Sequence, residues 1–547
     1  MSTDTHDRQR AIAQGCRLKL LGMLVPISAL AATAVAATLR VPGDQPTIQA
    51  GLDASAEGDT VLVAPGTYTG EGNRDLDFGG VDRVLLSEAG PEATVIDCQD
   101  DGRGFDFHSG ETVASRVTGF TVTGGNAPGI EGGAAFQCMD SSSPTLTKCV
   151  VTGNVDASGI YCSRSSPILI DCAIEGNSGR FWGGGLFCDY YSAPIVENCT
   201  IIGNAAGGLA SFHSSPIITN CTITDNYDAP KGAGVYCLRG APTLIDCTIA
   251  NNSADSWGGG VVCVDGPSTL INCTIVDNSA GLDGGGLLCD FGASPHLINC
   301  NVSGNSAVWG GGGLVSYDTC SIALTNCTIV NNTGGDGGGL RGCCGSSVHA
   351  TNTIIWGNSP NQIDYQGGSV SITYSNIQSG WPGEGNIHAD PLFLDPIGAD
   401  YHLRPGSPCI DAGTSSGATG TDFEGDLRPW GAGWDIGADE YTGVGIERFE
   451  PPIFAPRTML APAYPNPFNP STTIPFALAE AGGVRLAIYD LKGALVRILV
   501  DGPRSAGLHA VRWDGRNRVG LVVPTGVYVV RFEGGGAREA RRLVLVK

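Results

Sequence analysis

Several carboxylates, one lysine and a set of tryptophans in this chain stand where they could meet. Just before a recurring Gly-Gly-Gly corner come Trp182, Trp257, Asp283, Trp309 and Asp336. Flat indole rings stack on the faces of sugars, and carboxylates accept sugar hydroxyls. As a ligand surface, these five residues would line a glycan groove. An irregular stretch nearby adds Asp228 and Lys231, and Asp255 lies two residues before Trp257. Acid–base chemistry would need Asp228, Lys231, Asp255 and Asp283 to converge within about 8 Å in a groove. A second acidic series follows a recurring Cys strand, at Asp140, Asp189, Asp265, Asp290 and Asp318. The eight histidines do not cluster along the chain.

The elements that must position these residues are repeats. The phrase Cys149-Val-Val-Thr-Gly-Asn154 returns at Cys172 to Asn177, Cys199 to Asn204 and Cys221 to Asn226. It continues at Cys247 to Asn252, Cys273 to Asn278, Cys300 to Asn305 and Cys327 to Asn332, with degenerate copies ending at Asn126 and Asn358. The Asn residues recur every 22–28 positions. About ten residues before most copies comes a second phrase, as in Gly-Gly-Gly-Leu-Phe-Cys188 and Gly-Gly-Gly-Val-Val-Cys263. Between them lie Ser-Pro or Ala-Pro turns and short apolar strands. Each repeat therefore holds about three strands, and none can bury its apolar side alone. Stacking repeats about 4.8 Å apart pairs each strand with its copy and aligns like side chains in columns. Asn tolerates a left-handed backbone, and its amide can bond to the coils above and below.

The cysteines fall mostly into two of these columns. Removal of an N-terminal signal would leave 19, an odd number. Cβ atoms about 4.8 Å apart in neighbouring coils exceed the usual disulfide range of about 3.5–4.5 Å. Regular Cys-x-x-Cys spacing is missing. Stacked buried thiols are the preferred reading, and Cys98, Cys409 and the pair Cys343-Cys344 have no place in it.

The pattern resembles the right-handed parallel β-helix family over about 38–441. The stretch from Pro46 to Tyr68 looks like the opening of many such proteins, where a short amphipathic helix caps the first coil. The stretches around Ala389 to Phe393, Asp400 to Gly413 and Asp435 to Tyr441 look like the closing segment of exported bacterial members. That resemblance implies a cover for the last coil, whose open edge would otherwise recruit strands. The carboxylates Asp422, Asp426, Asp435, Asp439 and Glu440 offer oxygens to Ca²⁺. Calcium takes six to eight oxygens, and no fixed loop spacing presents them, so neither cofactor nor metal ligand is assigned. The family includes polysaccharide lyases and hydrolases, adhesins and inert stalks, so fold does not give function. The chain has no Asn-Thr-Asp or Gly-His-Gly signature of polygalacturonases.

Composition sets the compartment. The first 36 residues combine Arg8, Arg10, Arg17 and Lys19 with an apolar run from Leu20 to Val35 and a small-residue cleavage site, as in a signal peptide. Net charge is −23, distributed unevenly: 14 Lys and Arg stand against 46 Asp and Glu over 37–456, and 13 against 6 beyond. The acidic region would repel nucleic acid. Residues 443–460 read as a proline-bearing linker. Six strand-like runs in 461–547 then suggest a small β-sandwich. Tyr464-Pro-Asn-Pro-Phe468, Ile488-Tyr-Asp-Leu-Lys-Gly493, Trp513-Asp-Gly515, Gly526-Val-Tyr528 and Leu545-Val-Lys547 resemble the C-terminal sorting domain of type IX secretion cargo and the Ig-like domain of the flagellar hook-capping protein. That resemblance implies outer-membrane secretion machinery as a partner.

The expected protein is thus all-β, with 1–36 a signal peptide, 37–442 a right-handed parallel β-helix closing at about 380–441, 443–460 a linker and 461–547 an Ig-like sorting domain. It is expected to be secreted or held at the cell surface, and to bind glycan or matrix without turnover. The alternatives are a polysaccharide lyase or glycoside hydrolase and a structural stalk.

Overall fold

The computed structural model describes residues 36–127, 132–180, 182–443, 458–460, 472–478, 481–490, 492–504, 507–518 and 521–545. Residues 1–35 of the expected signal, nearly all of the linker and the motif from Tyr464 to Phe468 lie outside them. Among the described residues, no helix is long and apolar enough to cross a membrane.

Residues 37–377 wind into a right-handed parallel β-helix with three faces. The first sheet has 14 strands, from Thr38–Val41 to Ser369–Thr373. The second has 13, from Gly66–Thr69 to Asn376–Ile377, and the third has 11, from Phe105–Phe107 to Ile363–Gln366. Neighbouring coils pair in parallel and in register, as at Leu146↔Leu169, Val151↔Ile174 and Cys162↔Cys188. Most repeat strands are three or four residues long, so in the first two sheets only the middle side chain points inward. Those middle residues form columns of full burial, such as Leu146, Leu169, Val196 and Ile218 in the first sheet and Val151, Ile174, Ile201 and Ile223 in the second.

The corners explain the repeat phrases. The first corner is one residue in the left-handed region, such as Lys148, Asp171, Asn198 or Asp246, followed by a buried Cys. Each such thiol donates to backbone carbonyls; Cys273 Sγ lies 3.3 Å from Ile271 O and 3.5 Å from Leu244 O one coil back. Among the described residues seventeen cysteines are free, and all are buried. Among the described residues the one disulfide joins Cys343 and Cys344. Cys409 also finds a place: its sulfur accepts from Asn376 Nδ2 at 3.1 Å.

The second corner carries the Asn ladder. Asn252 Nδ2 donates to Asn278 Oδ1 (2.9 Å) and to Ile223 O (3.0 Å), and its own Oδ1 accepts from Asn226 Nδ2 (2.9 Å) and N (3.1 Å). The same bonds run from Asn154 to Asn358 and end on Gln362 Oε1. Asn126 stands outside this column: Gly125 N donates to Asn154, and Asn126 Oδ1 is buried without a partner. The glycines beside the ladder are required by close approach, since a Cβ on Gly260 would meet Gly286 O at 2.5 Å. A shorter Asn ladder, absent from the sequence reading, joins Asn272, Asn299, Asn326 and Asn352 at the first corner.

Helix α1, Ile48–Ala54, closes the N-terminal end as expected. Thr47 caps it by accepting from Ala50 N, and Ile48 and Leu52 are fully buried against the first coil. The closing segment meets expectation only in part. Its first residues close the last coil, where Trp381 packs on the core and Asn386 donates to Ile372 O, and the rest lies along the flank of the second sheet. Phe393, Tyr401, Leu403, Cys409 and Ile436 pack against Val330 and Ile354 there. Its backbone bonds to the short Asn ladder, through Asn352 to Thr414 and Asn299 to Thr421. The reason is chemical: outward Val330 and Ile354 are apolar and need a cover of their own.

The C-terminal module is an antiparallel sandwich. One sheet joins Met459–Leu460, Thr472–Leu478 and Gly507–Trp513; the other orders Leu495–Arg504, Gly482–Asp490, Gly526–Gly534 and Ala537–Leu545. Ile474, Phe476, Leu486, Val530, Phe532 and the fully buried Trp513 fill its core.

Candidate functional site: a groove on the third sheet

Strands of the third sheet bury both faces. Inward go Leu186, Leu209, Val235 and Val261 with the second Cys column. Outward go Tyr161, Phe187, Tyr236, Val262, Leu288 and Val315, yet these too are 0–8% exposed. The cover comes from Trp182 and Trp257, beyond the Asn corner, and from Phe212, Leu238, Val264 and Tyr317 at the strand ends. A small lateral sheet of Ala229–Lys231, Ser253–Trp257, Ser279–Ala280 and Ser306–Ala307 carries Trp257 into position. The rings form a continuous series. Centroids are 5.4 Å apart for Tyr161–Phe187, 5.0 Å for Phe187–Phe212 and 5.5 Å for Phe212–Tyr236, and Trp182 lies flat on Tyr236 at 4.8 Å.

Where this cover stops, a groove of about 620 Å³ opens, lined by Lys231, Tyr236, Leu238, Arg239, Asp265, Asp290, Phe291 and Asp318. Lys231 pairs with Trp257 across a bulge, and its Nζ stands 4.0 Å from the centroid of that ring. Burial lowers the lysine's proton affinity, and Asp290 opposes that effect. Burial raises the Asp290 pKa, although its carboxylate accepts from Phe291 N at 2.9 Å. On the rim, Arg239 and Asp265 form an exposed pair at 3.0 Å. The groove thus offers a cation on an aromatic face, a half-buried carboxyl group and an exposed Phe291 ring.

The expected site residues part company. Trp182, Lys231 and Trp257 belong to the outer face of the third sheet. Asp283 is enclosed by partners within the protein. It is 5% exposed and accepts from Gly284 N (3.0 Å), Gly311 N (2.5 Å), Tyr317 OH and Arg341 NH1 (2.5 Å). Asp336 is held by the same arginine at 2.9 Å. Trp309 leaves the column because its coil carries four glycines, Gly310–Gly313. Gly310 takes the place beside Asp283, where a Cβ would land on the carboxylate. Trp309 is displaced outward and is 70% exposed. Of the four residues considered for acid–base chemistry, Asp228 and Asp255 are exposed, Lys231 is half-buried and Asp283 is buried among its own partners.

The second acidic series also divides. Asp140, Asp265 and Asp318 are left-handed turn residues, whereas Asp189 and Asp290 end strands. Tyr236 and Arg341 were missed. Tyr236 precedes a Cys of the inward column, so the alternation of a strand already points it outward.

The acids of the closing segment mostly shape its loops. Asp422 accepts from Glu424, Asp426 and Glu440 backbone N–H groups, and Asp435 from those of Asp411 and Tyr441. Glu440 accepts from Trp430 and Asp435 and faces the buried Arg428 at 3.5 Å.

Comparison with known proteins agrees with this architecture. A family model described as a right-handed β-helix region matches residues 108–275 and 246–378. A model of the FlgD Ig-like domain matches 470–537. No curated protein matches the chain significantly. Among solved structures, a pectate lyase is similar at 12% identity, covering 74% of this chain and 96% of its own, with a TM-score of 0.37. The A-module of the Azotobacter vinelandii mannuronan C-5 epimerase is similar at 14% identity, covering 59% and 93%, with a TM-score of 0.28. The coil pairing, the stacked columns and the two family matches together make this chain a right-handed β-helix repeat protein that also carries a FlgD-type Ig-like domain.

Proposed function

We propose that this is an exported β-helix protein that binds an extracellular glycan or matrix polymer in the groove of the third sheet, without turnover. The observation that carries the reading is the Lys231–Trp257 pair at 4.0 Å beside Tyr236 and Asp290. Aromatic faces with a few convergent polar groups suit a sugar, whose rings present apolar faces and an equatorial belt of hydroxyls. Lys231, Asp290 and Asp318 give the groove a donor and acceptors for sugar hydroxyls. The N-terminal signal-like segment and the sorting-type C-terminal motifs support export, with outer-membrane secretion machinery as partner.

The test is a glycan array with wild type and Trp257→Ala. Wild type is expected to retain oligosaccharides, and the variant, which removes the ring that positions Lys231, to lose about tenfold in affinity, or roughly 1.4 kcal/mol. Absence of binding on every glycan would remove the reading in favour of a stalk. The lyase alternative draws on the lowered proton affinity of Lys231, and release of unsaturated uronate by wild type would establish it. N-terminal sequencing of secreted material, expected to begin at Ala37, tests the export step.

A further inference from the structure

A separate cavity of about 320 Å³ lies where the closing segment meets the second sheet. Asp400, His402, Glu424 and Asp439 line it from the segment, and Asn301 and Thr328 from the sheet. One donor atom each from His402, Glu424 and Asp439 falls within 4.8 Å of the other two. His402 Nε2 is 3.2 Å from Glu424 Oε1, and its Nδ1 is 2.5 Å from Asp400 Oδ1. Asp439 Oδ2 accepts from Leu403 N, which leaves its other oxygen.

The independent observation concerns unsatisfied oxygens. Glu424 Oε2 and Asn301 Oδ1 are shut off from solvent and have no hydrogen-bond partner. A buried acceptor left unpaired is costly, and more so when charged. Two of them on residues of one cavity, beside an imidazole and a second carboxylate, call for a cation. We infer that His402, Glu424 and Asp439 form a divalent metal site of the zinc class that ties the closing segment to the flank of the β-helix. An imidazole ligand favours zinc-type ions over Ca²⁺, which takes oxygens. The Asp400–His402 bond is the outer-shell carboxylate that fixes the tautomer of a metal-bound histidine. The neighbouring Asp422, Asp435 and Glu440 are excluded, because backbone N–H groups take up their oxygens.

The experiment uses the purified full-length chain dialysed with Zn²⁺, freed of excess metal, and read by elemental analysis and zinc-edge X-ray absorption. The expected result is one retained zinc per chain with a nitrogen and oxygen shell containing one imidazole, undisplaced by a large excess of Ca²⁺. His402→Gln and Glu424→Gln should each lower affinity by about tenfold or more. The wild-type spectrum needs no variant to fold. No retained zinc, a sulfur-dominated shell, displacement by Ca²⁺, or unchanged affinity in folded His402→Gln would overturn the site.

Discussion

At the scale of single residues, Asp283 shows how a side chain with the chemistry of a ligand becomes part of the frame. It stands in the column of Lys231 and Trp257, and its spacing from them is right for a groove. Arg341, 58 positions away, claims it together with Tyr317. The side chain of Asp283 is 7% exposed and that of Arg341 24%. Removing the arginine leaves a buried carboxylate without its counter-charge. Arg341→Ala is therefore expected to destabilise the β-helix by about 3 kcal/mol, at the low end for a buried pair because the arginine is partly solvated. Denaturant unfolding measures this, and glycan affinity should persist in the folded variant, since neither Arg341 nor Asp283 lines the groove.

At the scale of the element, the strands and corners explain what could be read early and what could not. The Asn and Cys columns were legible because each coil repeats the same residue at the same backbone position. Thr47, Ile48 and Leu52 announced their helix through a cap and two apolar positions four apart. The fate of Trp309 was not legible when counted from the glycines, because the extra Gly310 shifts it out of the column. Pairings between distant coils, such as Asp283 with Arg341, leave no local trace. The closing segment does not repeat, so nothing in its spacing brings His402 to Glu424 and Asp439. Two buried cysteines outside the columns make a prediction of their own. Burial, joined by nearby carboxylates, pushes the Cys98 and Cys409 thiols up to about 12 from 9.0. Their folded pKa values lie above the unfolded ones, so the native state gains nothing from ionisation that the unfolded chain enjoys. Stability should be level below pH 9 and fall as pH rises from about 9 toward 12, by up to about 1.4 kcal/mol per pH unit for each such thiol. Denaturant midpoints across that range check the sign. Thiol reagents at neutral pH should modify none of the seventeen buried cysteines until the chain unfolds.

At the scale of the whole molecule, the β-helix behaves as a stack in which each coil touches its two neighbours. Residues 155–177 form one coil, and Val155 pairs in register with Ser178. Deleting 155–177 should therefore join Asn154 to Ser178 without breaking any column. The expected product is folded, shorter by about 4.8 Å along its axis by small-angle scattering, and still competent in the groove around Lys231. Loss of glycan binding on this deletion would show that the site extends onto the coil of Tyr161. The stacking also bears on how the protein ages. Asparagine followed by serine is prone to deamidate, because the next backbone nitrogen can swing onto the side-chain carbonyl and close a succinimide. Asn177, Asn252, Asn278 and Asn305 are each followed by serine. In the ladder those nitrogens are occupied: Ser178, Ser253, Ser279 and Ser306 donate to the Asn carbonyls of the preceding coil at 2.8–2.9 Å. The side-chain oxygens are likewise taken by the amides one coil back. Intact protein stored for weeks at pH 8 should show no aspartate at these positions by peptide mass spectrometry, whereas unfolded chain should accumulate it. The ladder that holds the coils in register thus doubles as a chemical preservative, and aspartate in that column would record how long a molecule has spent unfolded.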